Sequence, residues 1–150
     1  MAQATGVESW TDAKVEYSDA GGTWTDMSGY ANSVTKSGGD RLTGEAYTFD
    51  GDVAITGTGK RQPVELTVRV AYTETATHPY TIIRTAYEAK TRFQVRVWPE
   101  GGQLGEIGFY TDNDSRIISD PRPAGEAGSA DPIFFEFTVR TSQLQDVTGT

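Results

Sequence analysis

The stretch Val64-Glu65-Leu66-Thr67-Val68-Arg69-Val70-Ala71-Tyr72 alternates apolar and polar residues. Successive side chains of a β-strand point to opposite faces, so this alternation predicts a strand with one buried face. Two later segments repeat the pattern: Phe93, Val95 and Val97 alternate with Arg92, Gln94 and Arg96, and Ile133, Phe135, Phe137 and Val139 alternate with Glu136, Thr138 and Arg140. Three such strands predict a sheet with an apolar inner face and a mixed-charge outer face that meets water or another subunit.

The segment after the first of these strands predicts one helix, over about residues 78–90. Tyr80, Ile83, Ala86 and Tyr87 recur at three- and four-residue spacing and form one apolar stripe. Pro79 suits the first helical turn, where its missing N–H costs nothing, and Thr77 and His78 are the candidate caps.

The remaining segments read as short strands separated by turns. Strands are predicted at 14–17, 23–27, 42–49 and 53–56, a mobile loop or hairpin tip at 57–63, and a long loop at 112–132. Turn signals about every 8–12 residues are typical of sandwiches and barrels. The predicted fold is therefore mainly β: a β-sandwich or barrel of antiparallel strands with one flanking helix and long loops. We expect a single domain over 1–150, with a flexible N-terminal arm at about 1–12 and a C-terminal tail at about 145–150.

Composition excludes several classes of function. The chain has 21 Asp and Glu residues against 13 Lys and Arg, a formal charge of −8, and no cysteine. The acidity argues against tight nucleic-acid binding, and the missing cysteines exclude disulfides and thiolate chemistry. The sequence has neither an apolar run long enough to span a membrane nor the pattern of a secretion signal at its start. We expect no membrane partner.

Motifs for catalysis or cofactor binding are incomplete. Gly57-Thr58-Gly59-Lys60-Arg61 resembles a phosphate-binding loop, but Ala54 stands where that motif requires its first glycine and Arg61 replaces the magnesium-binding hydroxyl. His78 is the only histidine, and no nucleophile elbow accompanies it. Its expected role is at the start of the helix. We predict no enzyme activity and no cofactor.

Three weaker interpretations stay open at this stage. Calcium could bind oxygens of Asp112, Asn113, Asp114 and Asp120, although the EF-hand spacing is absent. Glu136 could serve as an acid in a small hydrolase. Trp10, Trp24 and Trp98 could stack on sugars, so a carbohydrate-binding or adhesin-like β-sandwich is the main alternative function.

The order of the segments resembles that of the major tail (tail tube) proteins of long-tailed, siphovirus-like bacteriophages. The resemblance rests on the opening segment at 15–30, the run Thr56-Gly57-Thr58-Gly59-Lys60-Arg61 leading into the strand at 64–73, the single helix, and the strand at 92–98. It covers about residues 14–140. It implies a β-sandwich or barrel flanked by one helix, hexameric rings that stack into a tube for DNA passage, adhesive loops between rings, an often acidic lumen, and no catalytic residues.

The resemblance also implies roles for particular residues. The polar strand faces would line a subunit seam or the lumen, and they comprise Arg92, Gln94, Arg96, Glu136, Thr138 and Arg140. The loop between rings would contain Gly57, Gly59, Lys60 and Arg61. The implied partners are further copies of the chain, other tail proteins and DNA in transit, repelled by the net acidity. The protein would be assembled in the host cytoplasm and reside in the virion tail.

Overall fold

Antiparallel strands are the main regular elements of the chain, which the computed structural model describes at residues 6, 9–19, 22–75 and 78–150. The elements are β1 Lys14–Ser18, β2 Thr25–Asp26, β3 Ala31–Gly38, β4 Arg41–Ala46, β5 Ile55–Arg61, β6 Val64–Ala71, α1 Pro79–Ala89, β7 Gln94–Trp98, β8 Ile107–Thr111, β9 Arg116–Ile117, β10 Phe134–Thr141 and β11 Leu144–Thr148. A 3-10 turn, Trp10–Asp12, precedes β1. The predicted mainly β architecture with one helix is confirmed for the described residues.

Two sheets form a sandwich around one core. Sheet A has the strand order β11-β8-β7-β1-β2, and sheet B has the order β3-β6-β10-β9. Both contribute to the core, whose fully buried members include Val95 and Val97 from sheet A and Leu66, Val68, Phe137 and Val139 from sheet B. The sheets do not close into a barrel, so of the two predicted architectures the sandwich is the observed one.

The alternation in the sequence determines the faces of sheet B. β6 pairs with β10 in a continuous register in which Val68 lies opposite Phe137 on the inner face and Thr67 lies opposite Thr138 on the outer face. The predicted inward position of Ile133 is wrong: β10 begins at Phe134, and Ile133 lies before it with 57% of its surface exposed.

Helix α1 confirms the predicted span to within one residue at each end. His78 is the N-cap: its Nδ1 accepts a hydrogen bond from the backbone N–H of Tyr80 at 3.0 Å, and its Nε2 lies 2.6 Å from the carbonyl oxygen of Ala71. An accepting Nδ1 requires the proton to be on Nε2, so the imidazole bridges the helix start to the end of β6. The other candidate cap, Thr77, lies outside the described residues. Ile83 and Ala86 pack into the core.

Strands β4 and β5 form a third, two-stranded sheet that continues β3 and β6 beyond a bend. We call this hairpin, residues 41–61, the arm. At the bend Gly38 and Gly39 have φ values of 76° and 85°, and a side chain at Gly38 would overlap the carbonyl oxygen of Pro63. Only glycine combines this backbone conformation with so close an approach.

Several segments differ from the sequence-based expectation. β8 was not among the predicted strands, and β9 lies within the loop predicted at 112–132. β3 was not predicted as a strand, because only one side of this edge strand packs and Val34 is its one partly buried large apolar residue. Residues 57–61 belong to β5 instead of a loop or tip. Leu144–Thr148 pairs with β8 as β11, where the sequence predicted a flexible tail. Of the flexible segment expected at the N-terminus, over about residues 1–12, residues 1–5, 7 and 8 lie outside the described part. No described helix is long and apolar enough to cross a bilayer.

Candidate assembly site

The arm has one polar face and one apolar face, and the rest of the described chain covers neither. Cross-strand pairs Thr43–Thr58 and Glu45–Thr56 share one face, while Gly44–Gly57 and Ala46–Ile55 share the other. Leu42 and Gly59 meet on that second face, since a side chain at Gly59 would lie 3.3 Å from the Cβ of Leu42. All strand residues of the arm are exposed, including Ile55 at 60%. The glycines make this apolar face flat.

The end of the arm adds further exposed apolar side chains. Tyr47, Phe49 and Val53 lie in the turn at 47–54 and are among the most exposed large hydrophobic residues of the described chain. Covering a side chain of this size contributes about 1.5–3 kcal/mol. Several exposed apolar side chains at one end of a hairpin are typical of an interaction site.

The four residues predicted for an inter-ring loop lie in the arm, but not at its end. Gly57 and Gly59 belong to its flat apolar face, and Lys60 and Arg61 stand at the base of β5, beside the bend. The turn that joins the two strands lies at 47–54 instead. The missed signal is the alternation of glycine with Thr56, Thr58 and Lys60, which reads as a loop by composition but as a strand by period.

The outer face of sheet B is polar and balanced in charge. Across β3, β6 and β10 it presents Ser33, Thr35, Ser37, Glu65, Thr67, Arg69, Glu136, Thr138 and Arg140. The two glutamates face the two arginines in register, Glu136 opposite Arg69 and Arg140 opposite Glu65, whose charged atoms are 3.9 Å apart. The hydroxyls of Thr67 and Thr138 form a hydrogen bond of 2.9 Å. Predicted face residues Glu136, Thr138 and Arg140 are thus brought together, and Glu136 stands opposite a cation in a solvated face.

The other three predicted face residues are placed differently. Arg92 precedes β7, and its backbone forms an isolated antiparallel β-bridge with that of Arg116. Gln94 is buried, and its amide donates to the carbonyl oxygen of Thr111 at 2.9 Å. Arg96 is mostly buried in an ion pair. On the outer side of sheet A the exposed polar face expected for β7 is therefore not formed, because Gln94 is buried and Arg96 is paired with Glu16. The role expected for these residues in a subunit seam or the lumen stays a prediction.

A carboxylate network holds that outer side of sheet A together. Oε1 of Glu16 accepts hydrogen bonds from Trp98 Nε1 at 2.6 Å and Arg96 Nε at 3.0 Å, and Arg96 Nη2 lies 2.9 Å from the same oxygen. The guanidinium of Arg96 also lies over the ring of Trp24. Gly108 packs so tightly against the indole of Trp98 that a Cβ there would lie 2.6 Å from it.

This arrangement removes the support for a sugar-binding platform. Trp98 is buried. The ring of Trp24 is contacted by the guanidinium of Arg96 and by the ring of Tyr110, whereas Trp10 is exposed in the 3-10 turn. Stacking on a sugar requires exposed aromatic faces, which two of the three tryptophans do not offer.

The acidic residues considered as calcium ligands are used within the fold. The backbone N–H of Asn113 and the amide of Gln143 donate to Asp112, and these bonds lower the pKa of its carboxyl group. Burial would raise the pKa of Asp114, but hydrogen bonds from Ser142 and Thr141 outweigh it and leave that pKa lowered. Both carboxylates fasten the β8–β9 turn to the β10–β11 turn. Among the described residues, no three His, Cys, Asp or Glu side chains form a metal-binding group.

The fold is similar to that of chains from tail-like and virion assemblies. A chain of the sheath–tube complex of an extracellular contractile injection system, PVC, aligns over 96% of this chain and 93% of its own length, at 17% identity and a TM-score of 0.67. A chain of the anti-feeding prophage baseplate covers 99% and 98%, at 9% identity and a TM-score of 0.66. A chain from the virion of a native gene transfer agent covers 98% and 100%, at 10% identity and a TM-score of 0.58. The sequence matches no protein-family model and no curated protein. The chain therefore has, over nearly its whole length, the fold of components of phage-tail-like assemblies.

Proposed function

We propose that this chain is a structural subunit of a phage-tail-like tube and that its copies form hexameric rings that stack. The fold supports the proposal, because the similar chains come from sheath–tube, baseplate and virion assemblies and match almost end to end. The predicted major tail protein of a siphovirus-like phage is the narrower form of this proposal. It would place the protein in the virion tail, assembled in the host cytoplasm beside other tail proteins, without enzymatic activity.

The uncovered arm is the observation that carries the proposal. Its flat face of Leu42, Ala46 and Ile55, with interspersed glycines, finds no apolar partner within the described chain. A two-stranded ribbon in water is only marginally stable by itself, so the arm needs a surface to pack on. A neighbouring copy supplies such a surface in every subunit of a repeating assembly.

Sheet B suggests where the passage for DNA would run. Its outer face is polar, and its edge strand β3 has a hydrogen-bonded neighbour on one side only among the described strands. Edges of this kind pair with strands of another chain. We propose that this face lines the lumen. Because Glu65 and Glu136 face its arginines, DNA phosphates would meet few uncompensated positive charges, and the salt-dependent attraction to phosphate stays weak.

Electron microscopy of the purified full-length chain tests the proposal. We expect rings or tubes with six-fold symmetry. Replacement of Ile55 by Asp should abolish them, because a charge on the apolar face of the arm cannot be buried without a partner. Ile133→Asp is the matched control, since Ile133 is similarly exposed but lies outside the arm. A wild-type chain that stays monomeric at high concentration contradicts the proposed function.

A further inference from the structure

We propose that the base of the arm of one copy docks into an acidic groove at the end of sheet A of the next copy. The inference rests on the proposed function and adds the receiving surface to it. The groove lies between the loop that follows β7 and the strands β8 and β11, and the residues that matter are Pro99, Glu100, Leu104, Glu106, Ile107 and Asp146.

The groove combines exposed apolar side chains with charge of one sign. Leu104 is 85% exposed and Ile107 is also largely exposed. The described lining contains three acids and no basic residue. Backbone hydrogen bonds join the wall of the groove to the end of the chain, from Gly105 N–H to the carbonyl of Gly149 and from Gly149 N–H to that of Glu106. The wall is therefore ordered before any partner arrives, which reduces the entropic cost of binding.

The base of the arm has the opposite character. Arg41 and Arg61 are direct cross-strand neighbours, and Lys60 adjoins them. Like charges placed opposite each other in a sheet are destabilising, so this cluster favours an external anionic partner. Leu42 follows Arg41 and is exposed on the apolar face. The base of the arm thus offers three cations and, on the opposite face of the hairpin, an exposed leucine, and the groove offers three anions beside the exposed Leu104.

Three other grooves of the described chain fit this partner less well. The groove beside β9 contains Arg116 and Arg140, which would repel the base of the arm. The trough over the outer face of sheet B mixes acids with Arg69 and Arg122. The groove beside β3 has no charged lining residue within the described chain. Of the four grooves compared in the described chain, the one at the end of sheet A combines purely acidic charge with apolar contact, which is the complementarity that selects register between partners.

Charge reversal in the full-length chain tests the docking. Lys60→Glu with Arg61→Glu should lower the assembled fraction, measured by sedimentation at fixed concentration and low salt, at least about tenfold. Glu100→Lys with Asp146→Lys should have the same effect. The chain that carries all four changes should recover to within about threefold of wild type, because the complementarity is restored with inverted sign. Arg84→Glu on helix α1, combined with Lys90→Glu at its C-cap, changes the net charge as much as the first pair and should leave assembly unchanged.

Disulfide crosslinking is a second test of the docking contact, and it does not depend on how strongly the chains assemble. The chain has no cysteine, so an introduced pair reports only the contact being tested. Mixed Leu42→Cys and Leu104→Cys chains should form a disulfide dimer on oxidation, since bridging requires Cα atoms within about 7 Å. Leu42→Cys mixed with Ile133→Cys is the control.

The outcomes separate this inference from the proposed function. A wild-type chain that forms neither rings nor tubes overturns both. The docking inference alone is overturned if the wild type assembles and any one of three results is found. The charge reversals have no effect on assembly, the quadruple variant assembles no better than the double variants, or the cysteine pair crosslinks no better than its control.

Discussion

Replacing Glu16 by Gln removes the charge at the centre of the network on the outer side of sheet A. The side chain of Glu16 is 6% exposed and that of Arg96 is 20% exposed, and two nitrogens of Arg96 contact Oε1 of Glu16. Breaking a fully buried ion pair from one side costs about 3–5 kcal/mol. Because Arg96 keeps some solvent contact and its stacking on Trp24, and because Gln retains an acceptor for Trp98, we expect a loss of roughly 2–3 kcal/mol in the free energy of unfolding.

Urea unfolding followed by tryptophan fluorescence measures this loss. The protein should be dilute enough to be monomeric, since assembly adds to the apparent stability. The expected loss corresponds to a fall of roughly 5–10 °C in melting temperature for a domain of this size. Glu88→Gln is the control, because Glu88 and its partner Arg122 are both 58% exposed and 3.6 Å apart, and exposed pairs contribute about 0–1 kcal/mol. A loss at Glu16 no larger than at Glu88 would refute the view that this network holds the outer side of sheet A.

Further predictions concern packing, capping and pH. Gly108→Ala should destabilise the monomer by about 1–3 kcal/mol in urea unfolding, because its methyl group overlaps the indole of Trp98, whereas Gly44→Ala has open space and should stay within about 0.5 kcal/mol. His78→Ala should cost at least about 1 kcal/mol, the usual value of an N-cap, and reduce the helical circular dichroism signal. Folding lowers the pKa of the Asp112 carboxyl group, so its contribution to stability is present above the ordinary aspartate pKa of 3.8 and is lost as the pH falls through the lower folded pKa. Asp112→Asn should therefore flatten the loss of stability below pH 3.8.

The core and the helix were accessible from the sequence because they follow a period. The two-residue alternation of β6 and β10 placed Leu66, Val68 and Phe137 inside, and the structure agrees. The helix start followed from the position of Pro79, which left Thr77 and His78 as candidate caps, and the structure shows His78 in that role. These are local signals, and tertiary packing reinforces them.

The candidate site was less accessible because its features depend on what lies opposite. Gln94 and Arg96 alternate like outward residues, but the carboxylate of Glu16, eighty positions before Arg96, draws the arginine into a buried network. Edge strand β3 has almost no apolar period, since its outer neighbour is missing from the described chain. Gly57 and Gly59 suggest a loop, and only the cross-strand register reveals that they form a flat strand face.

The bend at Gly38 and Gly39 has a consequence for distances between copies. Both strands of the ribbon change direction at this one joint, where Gly39 N–H also donates to the carbonyl of Pro63 at 3.2 Å. A small change in the backbone angles at this bend would move the far end of the arm by several ångströms, because the arm extends several residues beyond it. If the arm contacts a copy in the next ring, as the proposed function has it, the angle at this pair of glycines would influence the axial spacing between successive rings.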